Sequence, residues 1–158
     1  MNPLLTFILF FCVSGHTSKE DTAAINITWS QKLGGDFSFA KKRSIECDAW
    51  CYEWAGTTGI VATQKAKDTV ACYTLMNVAT HCSLHLLITG DKCFPTIVLT
   101  SIVAGGSRVY ECTDGSITID QKYWDRRILK ATFDLNFKDP HNDDKKIYWK
   151  GKIFTRIK

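Results

Sequence analysis

Two histidines on either side of a cysteine come closest to a reactive site in this chain. His81 and His85 flank Cys82 and are four residues apart. On a β-strand both imidazoles would project to the same face, where a third ligand from elsewhere could complete a metal site. The same pattern fits two surface histidines beside a disulfide, so the sequence predicts no metal site and no cofactor.

No catalytic motif accompanies these histidines. The sequence contains no Gly-x-Ser-x-Gly, no His-Glu-x-x-His and no phosphate-binding glycine loop. Its carboxylates are scattered, and the adjacent Asp143 and Asp144 lie among turn-forming residues. The sequence therefore favours a protein that is not an enzyme. A small secreted hydrolase built from dispersed acids and His81 or His85 is the alternative.

The first residues indicate whether the protein is exported, and therefore whether its cysteines can form disulfides. Leu4 to Val13 form an apolar run interrupted only by Thr6, and the small residues Ser14 and Gly15 follow. This pattern predicts a secretory signal peptide over residues 1–15. The run is too short to cross a bilayer, which needs about 20 apolar residues, so no transmembrane segment is expected after cleavage.

Cleavage would leave residues 16–158 as a single β-rich extracellular domain. An even number of cysteines in a small exported domain predicts a disulfide framework. The predicted disulfide cysteines are Cys47, Cys51, Cys72, Cys82, Cys93 and Cys112. Their pairing is left open, although a symmetric loop would place Cys72 opposite Cys82. Cys47 and Cys51 also have the spacing of zinc ligands, but no second tight Cys or His pair accompanies them.

One N-glycosylation sequon is present, at Asn26-Ile27-Thr28. Apolar residues at 25, 27 and 29 alternate with Asn26 and Thr28, which predicts a strand with the asparagine on its outer face. A solvent-facing asparagine in an exported chain is what glycosylation needs, so Asn26 is the predicted glycosylation site.

Alternation of apolar and polar residues predicts the strands that position these groups. It is clearest from Leu129 to Lys138 and from Ile147 to Lys158, which predicts an antiparallel hairpin with one packed and one wet face. Arg43 to Ala55 is instead predicted to form a short helix, because both its cysteines and Trp54 share one helical face, and an irregular loop held by its disulfides is the alternative. Thr113-Asp114-Gly115 predicts a turn.

Shorter runs predict further strand pairs. Residues 69–76 and 83–89 are expected to pair, and the apolar run 96–104 is expected in the middle of a sheet with 108–112 returning beside it. With turn signals about every ten residues, the prediction is a mainly β domain of about eight strands with one short helix. Its architecture is predicted as an antiparallel β-sandwich or an open barrel, stapled by disulfides.

Positive charge is concentrated in the last quarter of the chain. Residues 122–158 contain 11 Lys and Arg against 5 Asp, whereas the rest of the sequence is slightly acidic. On the predicted hairpin, Lys130 and Lys138 would share the outer face with the basic residues of the last strand. The predicted binding residues are Lys150, Lys152, Arg156 and Lys158. Such lysines also serve simply to block unwanted pairing at a sheet edge.

A basic stripe favours acidic partners: an anionic glycan, a membrane surface or an acidic protein. Nucleic acid is not an expected partner of an exported chain. The sequence therefore predicts a secreted, non-enzymatic extracellular binding protein.

The rival prediction is a carrier of an apolar small molecule or lipid between two sheets. Phe133, Phe137, Trp149 and Ile153 would line its slot. The closing strands are broadly similar to the closing hairpin of the ML family of exported lipid-recognition sandwiches. Unlike that family, this chain has no cysteine after Cys112, and we do not assign it to the family.

Overall fold

The computed structural model describes residues 23–35, 37, 45–46, 59–75, 82–101, 106–139 and 146–158, which form nine strands and one helix. In chain order these are β1 (Ile25–Ser30), β2 (Ile45–Glu46), β3 (Ile60–Ala66), β4 (Thr69–Thr74), β5 (Cys82–Thr89), β6 (Lys92–Ser101), β7 (Gly106–Asp120), α1 (Gln121–Trp124), β8 (Ile128–Lys138) and β9 (Lys146–Arg156). The mainly β class with about eight strands is confirmed, since eight of these strands have six or more residues, and the helix is a single turn.

All strands belong to one curled sheet in the order β2-β9-β8-β7-β1-β6-β5-β4-β3, with an additional pairing of β6 and β7. Every neighbouring pair is antiparallel except β1 and β7, which are parallel from Ile27 and Ile117 onward. After β9 the chain also forms backbone hydrogen bonds with β3: the Lys158 amide donates to the Ala62 carbonyl over 3.0 Å. The described residues therefore form a half-barrel with mixed parallel and antiparallel strands. They do not show the predicted antiparallel sandwich of two sheets.

The closing hairpin forms as its alternation predicts. β8 and β9 pair continuously from Ile128 opposite Arg156 to Lys138 opposite Lys146. Their inner side chains are buried in the core: Leu129, Ala131, Phe133, Leu135, Phe137, Ile147, Trp149 and Ile153. Full burial of one such large apolar side chain contributes about 1.5–3 kcal/mol. The hairpin is thus a principal wall of the hydrophobic core.

The predicted pairs of shorter strands also form, whereas two local predictions are wrong. β4 pairs with β5, and β6 with β7. Residues 113–115 do not turn the chain but continue β7 through a bulge between Cys112 and Asp114. Ile45 and Glu46 pair with β9 instead of beginning a helix. The rest of the predicted helix lies outside the described residues.

The expected disulfide framework is not found. No disulfide joins any two of the four cysteines that the structure describes, Cys72, Cys82, Cys93 and Cys112, all of which are buried. The strand register explains why Cys72 and Cys82 do not bridge, since Cys72 lies opposite Leu86 and Cys82 opposite Leu99. In the same way Cys93 lies opposite Ile88 and Ile25, and Cys112 opposite Phe137. Cys47 and Cys51 lie outside the described residues.

Three of these thiols should resist alkylation in the native protein. Burial raises the pKa of Cys93 and Cys112 to about 12 and raises that of Cys72 as well, and the thiolate is the reactive form. Mass spectrometry after iodoacetamide treatment at pH 8 should show these positions modified only when denaturant is added. A native disulfide at any of them would contradict this structure.

Candidate functional site

A buried ion pair between β8 and the end of β7 lies at the base of a cleft lined by several basic residues. Lys130 lies opposite Phe154 on β9, and its Nζ is 3.3 Å from the Asp120 Oδ2 at the end of β7. The exposed fractions of these side chains are 11% for Lys130 and 2% for Asp120. The prediction that Lys130 projects into solvent with the other basic residues is therefore wrong. Leu33, Phe37 and Tyr123 cover its side chain, which forms a buried ion pair with Asp120.

Asp120 connects three segments of the chain. Its Oδ2 accepts a hydrogen bond from the Leu33 amide over 3.0 Å, and its Oδ1 accepts one from the Tyr123 amide over 3.2 Å, which caps α1. Burial by itself would raise the pKa of Asp120, but the hydrogen bonds from Leu33, Tyr123 and Lys130 outweigh it and hold that pKa below its usual range. The charged carboxylate thus fastens the segment after β1 and the helix onto the sheet.

Aromatic rings surround the Lys130 ammonium. Its Nζ lies 4.9 Å from the ring centroid of Phe37 and 4.7 Å from that of Tyr123, within the range of cation–π attraction. Phe154 packs edge-on against both rings, at centroid distances of 6.0 and 5.8 Å. Lys130 also donates to the Leu33 carbonyl over 2.6 Å. These contacts hold Lys130 in place at the floor of the cleft.

The basic cleft above this floor has a volume of about 560 Å³. It is lined by residues 31–35, Asp120, Lys122, Tyr123, Arg126 and Lys130. Because Lys130 and Asp120 neutralise each other, the remaining charges of the lining come from Lys32, Lys122 and Arg126, all of which are exposed. The basic cleft therefore presents three cations on its rim, and no acidic side chain in its lining opposes them.

The predicted binding residues on and after β9 do not line this cleft, and they differ in their positions relative to it. Lys150, Lys152, Arg156 and Lys158 are all exposed. Lys152 comes nearest, since its Nζ lies beside Gly35 in the cleft wall and 5.7 Å from the Phe37 ring. Lys150 lies opposite Asp134 on β8, and its Nζ is 5.8 Å from the centroid of the Tyr148 ring. Lys158 follows the C-terminal end of β9 and pairs through its backbone with β3.

Sequence reasoning missed the three cations of the rim. Lys32 is about 90 residues from the other two along the chain, and no local pattern connects it to them. Lys122 and Arg126 are four residues apart around a one-turn helix that was not predicted. That spacing, directly after the helix-capping Asp120, is the one signal that could have indicated them.

His85 and the glycosylation sequon lie outside the lining of the basic cleft. His81 lies outside the described residues, and His85 stacks on Tyr73 at a centroid distance of 6.0 Å, where burial lowers its pKa. Among the described residues, no group of three His, Cys, Asp or Glu side chains could hold a metal ion. Asn26 is exposed on β1.

The residues proposed to line an apolar slot are part of the core. Phe133, Phe137, Trp149 and Ile153 are each at most 4% exposed, and they line neither the basic cleft nor the second cleft described below. The apolar-carrier function stays a prediction.

Comparison of the chain with protein family models, with curated proteins and with solved structures gave no match. No helix in the described part of the chain has the length and apolar character needed to span a membrane.

Proposed function

We propose that this protein is a secreted, non-enzymatic binding protein that recognises an acidic partner through the basic cleft and the neighbouring lysines of β9. The proposal depends mainly on the ion pair between Asp120 and Lys130 inside the cleft. The one acid of its lining, Asp120, is already bound by Lys130, so the charges of Lys32, Lys122 and Arg126 are left to face an incoming anion. Lys152 extends this positive surface along the hairpin.

Binding would be electrostatic and would need little rearrangement. Positive potential over a concave surface attracts anions and accelerates their encounter, and salt screens this attraction over about 8–10 Å. The buried Asp120 carboxylate holds Leu33 and Tyr123 in place before any partner arrives. Such a preformed surface loses less conformational entropy on binding than a flexible one.

Export belongs to the same proposal. The apolar run at residues 4–13 supports secretion, and the exposed position of Asn26 on β1 suits a glycan at that site. Carboxylates or sulfates on extracellular partners are the anions that the basic cleft would meet.

Charge reversal in the basic cleft should weaken retention on heparin. For the double variant Lys32→Glu with Arg126→Glu we expect roughly a tenfold loss of affinity, since an exposed ion pair contributes up to about 1 kcal/mol and reversal adds repulsion. Elution from a heparin column and titration at several salt concentrations measure the effect.

The matched control reverses two exposed basic residues elsewhere on the sheet. Arg108→Glu with Lys138→Glu makes the same change in net charge on β7 and β8, and neither residue lines a cleft near α1. It should retain most of the affinity. Equal losses in both double variants, or elution of the native protein below physiological salt, would refute the proposed site.

A further inference from the structure

A second cleft, of about 270 Å³, lies beside the basic cleft, and α1 separates the two. Gln121 and Trp124 line the second cleft, whereas Lys122 and Tyr123 line the basic one. Trp29 forms part of the second cleft just before residues 31–35 enter the wall of the first. The two clefts are therefore about one helix diameter apart, ~10 Å, and a single chain-like ligand could occupy both.

Two indole rings form the wall of this second cleft, which we call the tryptophan cleft. Trp29 and Trp124 are both half-buried and meet edge to face, with centroids 5.5 Å apart and planes at 68°. The Trp29 Nε1 donates to the Asp91 Oδ1 over 2.9 Å, which fixes the orientation of that ring. An apolar wall held in this way is available to a ligand without being reshaped.

The polar rim of the tryptophan cleft is also held in place. Gln121 donates to Asp125 over 2.8 Å, and the Arg127 guanidinium donates to the side-chain oxygen of Gln64. Arg127 has a left-handed backbone (φ 60°), and its amide and carbonyl are both hydrogen-bonded, to Trp124 and Ile157. Amide and carboxylate groups therefore border the aromatic wall at set positions.

The charges around the tryptophan cleft balance, in contrast to the basic cleft. Lys67 and Arg127 oppose Asp68 and Asp91, so the lining carries no net charge. An aromatic wall of two indole rings in edge-to-face contact, bordered by amides and balanced charges, suits a ring with an apolar face and a rim of hydroxyl groups, which both donate and accept hydrogen bonds. A sugar ring has this chemistry, whereas an acidic peptide does not.

We propose that the tryptophan cleft binds a sugar ring, and that the acidic partner of this protein is consequently an anionic glycan. The inference rests on the proposed function, because the basic cleft would hold the sulfate or carboxylate groups of the same ligand. A sugar ring that carries anionic substituents matches a cleft of no net charge beside a cationic one, since the ring contacts the first and its anionic groups contact the second.

The test compares two anionic polymers of similar charge, a heparin-derived hexasaccharide and a short polyglutamate. Indole N–H signals in NMR spectra are assigned with single Trp→Phe variants. The hexasaccharide should shift the signals of Trp29 and Trp124 and leave that of the buried Trp149 in place. Polyglutamate should move none of the three.

The affinities of two variants test independently whether the sugar binds in the tryptophan cleft. Trp124→Ala should weaken hexasaccharide binding roughly five- to tenfold, given the energy of an aromatic contact, and leave polyglutamate binding unchanged. Trp124 packs against the core, so Trp124→Ala could fail to fold. In that case the affinities for the two ligands are compared in Gln121→Ala, a change at the edge of the cleft. It should weaken hexasaccharide binding two- to threefold, about the worth of one hydrogen bond at the low end of its range.

The outcomes separate the two proposals. Hexasaccharide binding that shifts neither tryptophan signal, or that survives both variants unchanged, overturns the sugar site and leaves the proposed function standing. Failure of the native protein to bind hexasaccharide and polyglutamate alike overturns both.

Discussion

Replacing Asp120 by alanine should lower the free energy of unfolding by about 3–5 kcal/mol, because it leaves the buried Lys130 ammonium without its counter-charge. The change also removes the cap of α1 and the acceptor for the Leu33 amide. Loss of a cap alone costs about 1 kcal/mol. Urea denaturation followed by tryptophan fluorescence measures the difference. A loss below about 1 kcal/mol would contradict the buried ion pair.

A double-mutant cycle with Lys130→Met separates the ion pair from the other contacts. Methionine keeps the apolar stem and removes the charge, so the double variant should be less destabilised than the sum of the two single variants. Strict additivity would show that Asp120 and Lys130 do not interact.

The contribution of Asp120 should depend on pH in a defined direction. Its folded-state pKa lies below the value of about 3.9 expected in the unfolded chain. A depressed carboxyl pKa stabilises the fold above the unfolded-state value, and this contribution disappears as the pH falls through the folded-state value. The gap in stability between the native protein and Asp120→Ala should therefore be constant near neutral pH and shrink below about pH 4.

Gly115→Ala is the second substitution with a large expected effect, a loss of about 3 kcal/mol or more. Gly115 has φ +141°, a conformation that side chains rarely adopt. A Cβ at this position would overlap the Asp134 carbonyl oxygen and lie 2.8 Å from the Leu135 Cα. Backbone strain and overpacking each cost about 1–3 kcal/mol, and the obstacle here is backbone of β8 that cannot swing away. Thermal and urea unfolding give the measurement.

Gly90→Ala provides the matched control for Gly115→Ala. Gly90 also has a positive φ, of +56°, but no atom lies within 4 Å of the position its Cβ would take. The loss should be about 1–2 kcal/mol, the strain of a left-handed residue alone. Equal effects at both positions would show that contact with β8 does not matter.

Gly115 illustrates why one local prediction was wrong. Thr, Asp and Gly in succession are turn formers, and a bulge uses the same residues for the same conformational reason. Whether the chain reverses or continues depends on the partner strand. Here β8 pairs on both sides of the bulge and keeps β7 running to Asp120.

Strand pairs that are adjacent in sequence could be predicted well. The apolar residues of β8 and β9 recur at every second position, and burial of one face requires only that local pattern. The parallel pairing of β1 with β7 could not be predicted, because alternation is the same in parallel and antiparallel strands. That pairing places Ser30 beside Asp120 and so brings residues 31–35 to the helix.

The sequence by itself determined the β-rich class, the closing hairpin and the excess of positive charge near its end. Only the tertiary structure decided which cations face solvent together. It buried Lys130 against Asp120 and brought Lys32 to the rim formed by Lys122 and Arg126. The physical reason is that periodicity along a strand sets which face is apolar, whereas the covering of its polar face depends on segments that are distant in sequence.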